Sequence, residues 1–504
     1  MKAFRRILLA AAALMAFVTS GPLPADAGGV LRIGRNEDST TMDSIKTTQN
    51  VDIWVINNVH AFLVRSNREG TGIEPDLAES WTVSDDKLTF TFKLRDAKFS
   101  DGSPVTVQDA VFSLTRLRDD PESAQASLFT VMEKIEAVDE HTLRIKLKEP
   151  SAAFLSTLAM YASSIVPEKA IKEMGDRYGS APISAGMYKV VEWRRGEVLI
   201  LEPNEYYYGG NVSKVDRVEW QVLPDDNTRV LKVQAGEIDA AIQIPFSMLP
   251  ALKNDPNINV HLDASTREDH LLLNHTNKWL SNKSVRQAIN MGINMDAIIQ
   301  VVNFGIGKPA NSIIPEGTLY YNPDNKNWPY DPAKAKQMIE EAGATGASFE
   351  FVLGAGRKGT EQLAVVIQQQ LAAIGLDIKL KKIDSGQVWN AFVDGAYDIA
   401  PAYWTYDILD PDQKIAFSVS ADSNKSYYTR YENPEVTKLV TEARLELDDA
   451  KRQELYNKIQ AIVKDDVPMI DLYYSPFSNI SRKNVKGFYQ NPMGTFPLHE
   501  MSVE

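Results

Sequence analysis

The stretch 75–120, PDLAESWTVSDDKLTFTFKLRDAKFSDGSPVTVQDAVFSLTRLRDD, contains a strand, a turn and a helix in succession. Residues 88–94 (LTFTFKL) alternate apolar and polar side chains, as a half-buried strand does. A DGSP turn follows, and Thr106 with Asp109 three residues later forms an N-cap pair ahead of apolar residues at helical spacing. The stretch therefore predicts a mixed α/β fold.

The same kinds of signal continue on the C-terminal side of this stretch. Residues 142–148 (TLRIKLK) and three segments between 188 and 223 (YKVVEW, EVLILEP and VDRVEWQVL) read as strands. Beyond residue 281 helices are favoured, with starts at Asp331-Pro332 and Asn433-Pro434. The 504 residues allow about three domains, yet no Gly/Ser linker separates them. A chain that crosses between its domains several times fits this pattern.

Residues 349–384 predict a βαβ unit whose loop, GAGRKG, matches G-x-G-x-x-G. Asp384, at the end of the second strand, stands about where a dinucleotide fold places its ribose-binding acid. Read literally, this unit indicates an NAD-dependent oxidoreductase. However, dinucleotide folds normally continue with several more β-α units, whereas only about 120 mostly helical residues remain here. We therefore favour a βαβ unit without a nucleotide.

The first 27 residues have the pattern of a secretory signal peptide. A basic start (MKAFRR) precedes the 12 apolar residues 7–18, and Ala25 and Ala27 form a small-x-small cleavage site. The chain has no cysteine, so neither a disulfide nor a lipid anchor on cysteine is possible. We expect cleavage after Ala27 and a free protein in the periplasm.

Charge and motifs exclude several classes of function. The net charge of −13 repels phosphate backbones, so no nucleic-acid partner is expected. The six histidines are scattered without metal-ligand spacing, and no nucleophile elbow, zinc-protease or phosphate-loop motif occurs. The sequence thus predicts a protein that is not an enzyme and holds neither a metal nor a cofactor.

The segment 402–412 (AYWTYDILDPD) combines aromatic and acidic side chains at the end of an apolar strand. Asp407, Asp410 and Asp412 could bind calcium, although the glycine and terminal glutamate of a calcium loop are absent. They could also form a solvated loop. In a third interpretation they form a ligand subsite, in which an acid beside aromatic walls binds an ammonium group.

Taken together, these segments resemble the extracellular solute-binding proteins of ABC importers, specifically the family 5 group of dipeptide- and oligopeptide-binding proteins. The residues 75–120 resemble that family's signature almost throughout. The likeness continues through VDEHTLRIKLKEP, QAGEIDAA, VRQAINMGIN, YDPAKAKQMIEEAG and IQQQLAAIGLDIKL, and so covers nearly the whole chain after the signal.

The resemblance implies a periplasmic binding protein type II-like fold, an α/β fold with two lobes and an additional α/β domain. The expected first lobe comprises residues 28–60, 183–273 and 476–504, the extra domain 61–182, and the second lobe 274–475. The lobes would close over a ligand and present it to a membrane permease driven by an ATPase. A monomer suits this motion.

The resemblance also implies site residues. Peptide-binding members hold the ligand's α-ammonium with an aspartate in a W-x-x-D context, which Trp404 and Asp407 match. Trp404 and Tyr406 would form walls of the pocket. The backbone around Tyr403 and Thr405 would pair with an extended peptide. The remaining contacts implied are Thr48 and Asn50 of the first lobe, and Arg357, which would meet a ligand carboxylate.

One departure from the family pattern bears on the substrate. The family often shows P-x-G-T-G-P-Y where this chain reads PISAGMY at 182–188, with Ser184, Ala185 and Met187 replacing the usual residues. A di- or oligopeptide or a peptide-like amine is the expected ligand, and an oligosaccharide or an opine is the alternative.

Overall fold

The computed structural model describes residues 28–422 and 424–504, and its strands form three large sheets and two small ones. The strands are β1 (Val30–Arg35), β2 (Val64–Ser66), β3 (Ile73–Pro75), β4 (Ala78–Val83), β5 (Thr89–Leu94), β6 (Met132–Ala137), β7 (Thr142–Leu147), β8 (Tyr188–Arg194), β9 (Val198–Pro203), β10 (Arg217–Val222), β11 (Ala240–Ala241), β12 (Ile258–Asp263), β13 (Glu268–Leu273), β14 (Lys308–Pro309), β15 (Ser348–Gly354), β16 (Asp377–Ile383), β17 (Ile399–Trp404), β18 (Met469–Tyr474), β19 (Phe477–Arg482), β20 (Val485–Lys486) and β21 (Ser502–Val503).

Helices cover these sheets, and none in the described part of the chain is long and apolar enough to cross a membrane. The α-helices are α1 (Asn50–Val59), α2 (Val107–Asp119), α3 (Ala126–Phe129), α4 (Phe154–Leu158), α5 (Glu168–Met174), α6 (Asp226–Ala235), α7 (Leu249–Leu252), α8 (Lys283–Gly292), α9 (Met295–Val302), α10 (Pro332–Glu341), α11 (Lys358–Ala373), α12 (Val388–Asp394), α13 (Asp412–Val419), α14 (Asn424–Tyr427), α15 (Pro434–Leu445) and α16 (Asp449–Asp466).

Helix starts follow the local chemistry that the sequence predicts. Thr106 and Asp109 form a complete capping box at the start of α2, each side chain accepting from the other's backbone N–H. Asp331 and Asn433 cap α10 and α15, and a proline occupies the first turn of each helix. These three predicted starts are confirmed.

Each large sheet defines one body of the molecule. The first lobe is built on the seven-stranded sheet β12-β19-β11-β1-β10-β9-β8. The second lobe is built on the six-stranded sheet β14-β18-β13-β17-β15-β16, and the extra domain on the four-stranded sheet β4-β5-β7-β6. One continuous apolar core joins the first lobe to the extra domain, from Leu31 through Phe92 to Trp220. The second lobe has its own cores on the two faces of its sheet.

Two short crossings connect the two lobes, at residues 264–267 and 475–476. The Ser265 hydroxyl donates to the Ser475 carbonyl at 2.5 Å, and the Ser475 hydroxyl donates to Asp269 Oδ2 at 2.9 Å. The first crossing corrects the boundary predicted after residue 273. Strand β13 pairs with β17 and β18, so residues 268–273 belong to the second lobe.

The predicted βαβ unit is present in the second lobe as β15, α11 and β16, with the two strands parallel. Its loop lacks the close packing that a dinucleotide site requires of its third glycine, because a Cβ added at Gly359 would meet no atom within 4 Å. The Asp384 carboxylate accepts from the Gly386 N–H at 2.9 Å and so caps the following turn. The glycine-rich loop therefore serves the connection between strand and helix.

Candidate functional site

The acid-rich segment leaves the second lobe at the end of β17 and enters the junction of all three bodies. Ile408 is 1% exposed and packs in the core that the first lobe shares with the extra domain. A Cβ added at Gly70 of the extra domain would lie 3.8 Å from Leu409, and one added at Gly494 of the first lobe would lie 3.7 Å from Thr405. The segment thus lies between the lobes, where a captured ligand would be enclosed.

The three acids of this segment have different partners. Asp410 forms a two-pronged ion pair with the buried Arg452, whose Nη2 lies 2.9 Å from Oδ1. Asp412 receives Arg444 Nε at 3.2 Å on both of its oxygens. Two of the three carboxylates therefore have arginine partners and are not free to bind calcium. The described residues hold no cluster of three or more acids or histidines suited to a metal ion.

Asp407 has no cation among the described side chains. Its carboxylate accepts one side-chain hydrogen bond, from Gln413 Nε2 at 2.9 Å. Burial raises the pKa of Asp407 to about 6, while the hydrogen bond from Gln413 acts in the opposite direction. The residue nevertheless remains partly exposed. At neutral pH it presents a negative charge that a cationic group could neutralise.

The extra domain supplies the opposite side of this position. Tyr161 begins a 3-10 turn, Tyr161–Ser163, and burial followed by the nearby Asp407 charge raises its pKa well above the ordinary value. Its hydroxyl donates to the Thr47 carbonyl at 2.9 Å and accepts from Gln125 at 3.0 Å. Tyr161 therefore places Asp407 close to the first-lobe segment that precedes α1.

The predicted aromatic residues occupy different environments. Trp404 is half-buried, with its ring centroid 5.0 Å from that of Phe417 and 5.5 Å from that of Tyr427. Tyr403 is half-buried beneath the Arg267 guanidinium, which lies 3.8 Å from the ring centroid. Tyr406 is only 2% exposed, and its backbone N–H donates to Thr266 Oγ1 at 3.0 Å. In this conformation Tyr406 is part of the interior, and Trp404 and Tyr403 supply the accessible aromatic surface.

Strand β17 has a backbone edge that is largely free of strand partners. On one side it pairs with β13 over its whole length, from Glu268↔Trp404 to Leu273↔Ile399. On the other side it pairs with β15 at Phe351↔Ile399 alone. Ala400 is fully buried and Pro401 has no N–H, so the edge that can accept an added extended chain is limited to the partly exposed residues 402–405.

The remaining predicted residues lie on the rims of the two lobes. Thr48 is exposed just before α1, and Asn50 is the first residue of that helix. Arg357 precedes α11, and its Nη2 lies 3.3 Å from Glu37 Oε1 of the first lobe. Both side chains of this ion pair are about half exposed, so Arg357 connects the two lobes across solvent.

A further acid, Glu268, is fully buried and pairs with Lys414, the residue that follows Gln413 in the first turn of α13. Glu268 Oε2 lies 3.1 Å from Lys414 Nζ and 2.7 Å from His270 Nδ1, and all three side chains are at most 1% exposed. Burial alone would raise the pKa of Glu268, but His270 and Lys414 outweigh it and lower the pKa to about 2. The neighbouring Asp471 has a pKa well above its ordinary value because of burial and the Glu268 charge. We call these four residues the Glu268 cluster.

The sequence did not point to Gln413, Met160 or Tyr161. Gln413 Nε2 lies 3.8 Å from Met160 Sδ, a contact between residues 253 positions apart. The only local signal was the polar run Asp412–Lys414 at the start of a helix whose following residues, Ile415 and Ala416, are buried. A buried polar run of this kind requires partners, yet it does not say which.

Comparison with known proteins agrees with this architecture. The family described as bacterial extracellular solute-binding proteins, family 5 (middle region), matches residues 72–426. The probable D,D-dipeptide-binding periplasmic protein DdpA of Escherichia coli K12 is 32% identical over 517 residues, with 99% of each chain covered. The periplasmic binding protein DppA of Helicobacter pylori, solved with the peptide STSA, superposes with a TM-score of 0.87 at 28% identity, covering 95% of this chain and 98% of that one.

A third similar structure holds a different kind of ligand. The binding protein AgaA from A.tumefacien R10, in complex with agropinic acid, has a TM-score of 0.84 at 27% identity and covers 94% of this chain and 99% of that one. These matches confirm the predicted two-lobed α/β fold with an additional domain. The chain belongs to the bacterial extracellular solute-binding proteins of family 5, and it is a solute-binding protein rather than an enzyme.

Proposed function

We propose that this protein is the periplasmic component of an ABC importer and captures a di- or oligopeptide, or a peptide-like amine, by lobe closure. The observation that carries the proposal is the Asp407 carboxylate, which lies at the junction of the lobes with only an amide as its partner. An ammonium group there gains a charge-assisted hydrogen bond of about 1.5–3 kcal/mol. Trp404 and Tyr403, which are both half-buried, precede Asp407 at the end of β17.

The backbone supports an extended ligand. The partly exposed end of β17 and the following Thr405 would offer main-chain groups to a peptide, as in strand addition. Thr48 and Asn50 would contact the peptide from the first lobe. The named ligands of two relatives, a D,D-dipeptide and the peptide STSA, favour the same class.

Arg357 would receive the ligand's carboxylate in this proposal. Its present partner, Glu37, is about half exposed, so exchanging that pair for a ligand carboxylate requires little desolvation. A ligand with charges at both ends would then contact Asp407 and Arg357, and both contacts require the closed arrangement of the lobes.

The partners and location follow from the family and the chain's start. A permease and its ATPase would receive the ligand from the closed protein. The predicted signal peptide, residues 1–27, lies outside the described residues and would direct the protein to the periplasm, without a lipid anchor on cysteine because none is present. We expect a monomer.

Native mass spectrometry of the protein purified from its own periplasm tests the proposal directly. We expect an added mass in the range of a short peptide, and its loss in the Asp407→Asn variant. Calorimetry with the peptide STSA and the dipeptide D-Ala-D-Ala then compares the two proteins. Equal affinities in both would exclude Asp407 as the amine contact.

An opine is the second candidate, because a protein of the same fold at 27% identity holds agropinic acid. Agropinic acid bound with equal affinity by the wild type and by Asp407→Asn would keep the transport role and change the substrate class. Absence of agropinic acid binding would remove this candidate.

A further inference from the structure

Gln413 lies in the first turn of α13 and is 4% exposed. Its Nε2 donates to Asp407 Oδ2 at 2.9 Å. Because the carboxylate can only accept, this contact fixes the orientation of the Gln413 amide. It also holds one carboxylate oxygen in place and leaves the other free of side-chain partners in the described structure.

Only one end of the Gln413 amide is satisfied, and that end contacts Asp407. Gln413 Oε1 is buried and has no hydrogen-bond partner among the described atoms. The contact on its other side is the thioether of Met160, at 3.8 Å from Nε2. An apolar side chain of similar volume would remove the unpaired oxygen, but it would also leave the Asp407 carboxylate without its side-chain hydrogen bond. The polar contact of this amide is therefore directed at Asp407 and not at the surrounding core.

Other charged groups near Asp407 are directed elsewhere. Lys414, the next residue on α13, points to Glu268, while Arg444 and Arg452 pair with Asp412 and Asp410. The Tyr161 hydroxyl donates to the Thr47 carbonyl. Asp52, which also influences Tyr161, accepts from Thr40 and Thr47.

Gln413 is consequently the group that opposes protonation of Asp407. Burial raises the pKa of this carboxyl to about 6, and the hydrogen bond from Gln413 acts against that shift. Without the amide, the pKa of Asp407 would move further towards neutrality. The ionised fraction available to an ammonium ligand at pH 7 would then fall.

We propose that Gln413 is the positioning residue of the amine site, holding Asp407 ionised and oriented so that the protein selects ligands with a protonated primary amine. This inference rests on the proposed function. It adds a residue that acts through Asp407 and a selectivity for free over N-acylated amines.

The Gln413→Met variant tests the proposal with the tetrapeptide STSA and with D-Ala-D-Ala as probes. Affinity is measured by calorimetry between pH 5 and 7, where a peptide α-ammonium stays protonated. In the wild type we expect affinity to rise with pH through about 6. In Gln413→Met we expect that rise to shift to higher pH, with affinity about tenfold weaker at pH 7. The melting temperature should change little, because removal of the unpaired Gln413 oxygen and loss of the Asp407 hydrogen bond act in opposite directions.

Three controls separate positioning from a structural effect. Asp407→Asn should flatten the pH profile, and the double variant should bind no more weakly than Asp407→Asn alone. N-acetyl-STSA should bind the wild type and Gln413→Met equally. Gln413→Leu serves as a second variant should Gln413→Met fold poorly.

The possible results are distinct. A shifted profile for Gln413→Met, absent in the Asp407→Asn background, supports the inference. A profile that superimposes on the wild type overturns it while leaving the peptide proposal in place. Equal binding by the wild type and Asp407→Asn excludes Asp407 as the amine contact and overturns this inference with it. Failure of the wild type to bind either probe counts against the proposed peptide ligand itself.

Discussion

Two acids, the partly exposed Asp407 and the fully buried Glu268, lie beside the start of α13, and consecutive residues of that helix contact them. Gln413 donates to Asp407, and Lys414 forms an ion pair with Glu268. Burial raises the pKa of Asp407 to about 6, whereas His270 and Lys414 lower that of Glu268 to about 2 against the effect of burial. The first turn of α13 thus contacts one carboxylate that has a cation partner and one that has none.

This difference distinguishes a carboxylate that stabilises the fold, Glu268, from one that is available to a ligand, Asp407. A buried carboxylate held by a lysine and a histidine is complete, and any ligand would have to displace one of them. A carboxylate held by an amide keeps its charge uncompensated, so the missing cation must come from outside. The absence of a cation is not sufficient by itself, since the fully buried Asp52 also has none and accepts from Thr40 and Thr47. At Asp407 the uncompensated charge coincides with a position at the junction of the lobes.

The largest effect is expected from breaking the complete pair. Lys414→Met leaves Glu268 with His270 alone, and we expect a loss of about 3–5 kcal/mol in the free energy of unfolding, because a buried charge becomes undercompensated. Urea denaturation followed by circular dichroism measures it. The double variant Lys414→Met with Glu268→Gln should recover most of the loss. A single variant as stable as the wild type would contradict a structural role for the pair.

A smaller effect, on binding instead of folding, is expected at the incomplete site. Asp407→Asn should weaken an amine-bearing peptide about 10–100-fold, since it removes a charged hydrogen bond of about 1.5–3 kcal/mol. Calorimetry with STSA measures this. The matched control is Asp410→Asn, which removes a carboxylate already paired with Arg452. This variant should lower the free energy of unfolding and leave the affinity for STSA nearly unchanged.

The raised pKa of Asp407 also predicts how stability responds to pH. The raised pKa of Asp407 contributes stability below about pH 4, and this contribution is lost as pH rises through about 6. The melting temperature of the wild type relative to Asp407→Asn should therefore decrease from pH 4 to pH 7. A constant difference between the two proteins over that range would show that the carboxyl titrates normally.

The smallest effect is expected at the exposed pair between the lobes. Arg357→Gln and Glu37→Gln each remove an ion pair that is about half solvent-exposed, so each should change stability by less than about 1 kcal/mol. If Arg357 also receives a ligand carboxylate, Arg357→Gln should weaken STSA more than Glu37→Gln does. Equal effects of the two variants on STSA affinity would assign Arg357 to lobe contact only.

Local chemistry explains which parts of the fold could be predicted. The starts of α2, α10 and α15 follow from a capping side chain and, in two cases, a proline within a few residues. The βαβ unit of the second lobe follows from apolar runs and glycines within a short span. The boundary after residue 273 was wrong because an apolar strand carries no mark of the sheet it joins, and β13 pairs with strands far along the chain.

The site itself was only partly within reach of the sequence. The W-x-x-D pattern singled out Asp407 from a run of three acids. The pairing of Asp410 and Asp412 with arginines 42 and 32 positions away, and of Gln413 with Met160 across 253 positions, depends on how the three bodies meet. Tyr406 was predicted as a pocket wall, but its side chain is buried, and its backbone N–H contacts Thr266 of the crossing at 264–267.

Ile408 follows β17 of the second lobe but packs in the core that the first lobe shares with the extra domain. Its burial there would favour the closed arrangement of the lobes. If the lobes separate at this junction, Ile408 leaves that core for water, and burying an isoleucine is worth about 1.5–3 kcal/mol. A bias of that size shifts an open-closed equilibrium about 10–100-fold, so an empty receptor would already sample the closed shape that a transporter recognises. The size of the side chain at position 408 would then influence both the affinity for ligand and the fraction of empty protein that is closed when it meets the transporter.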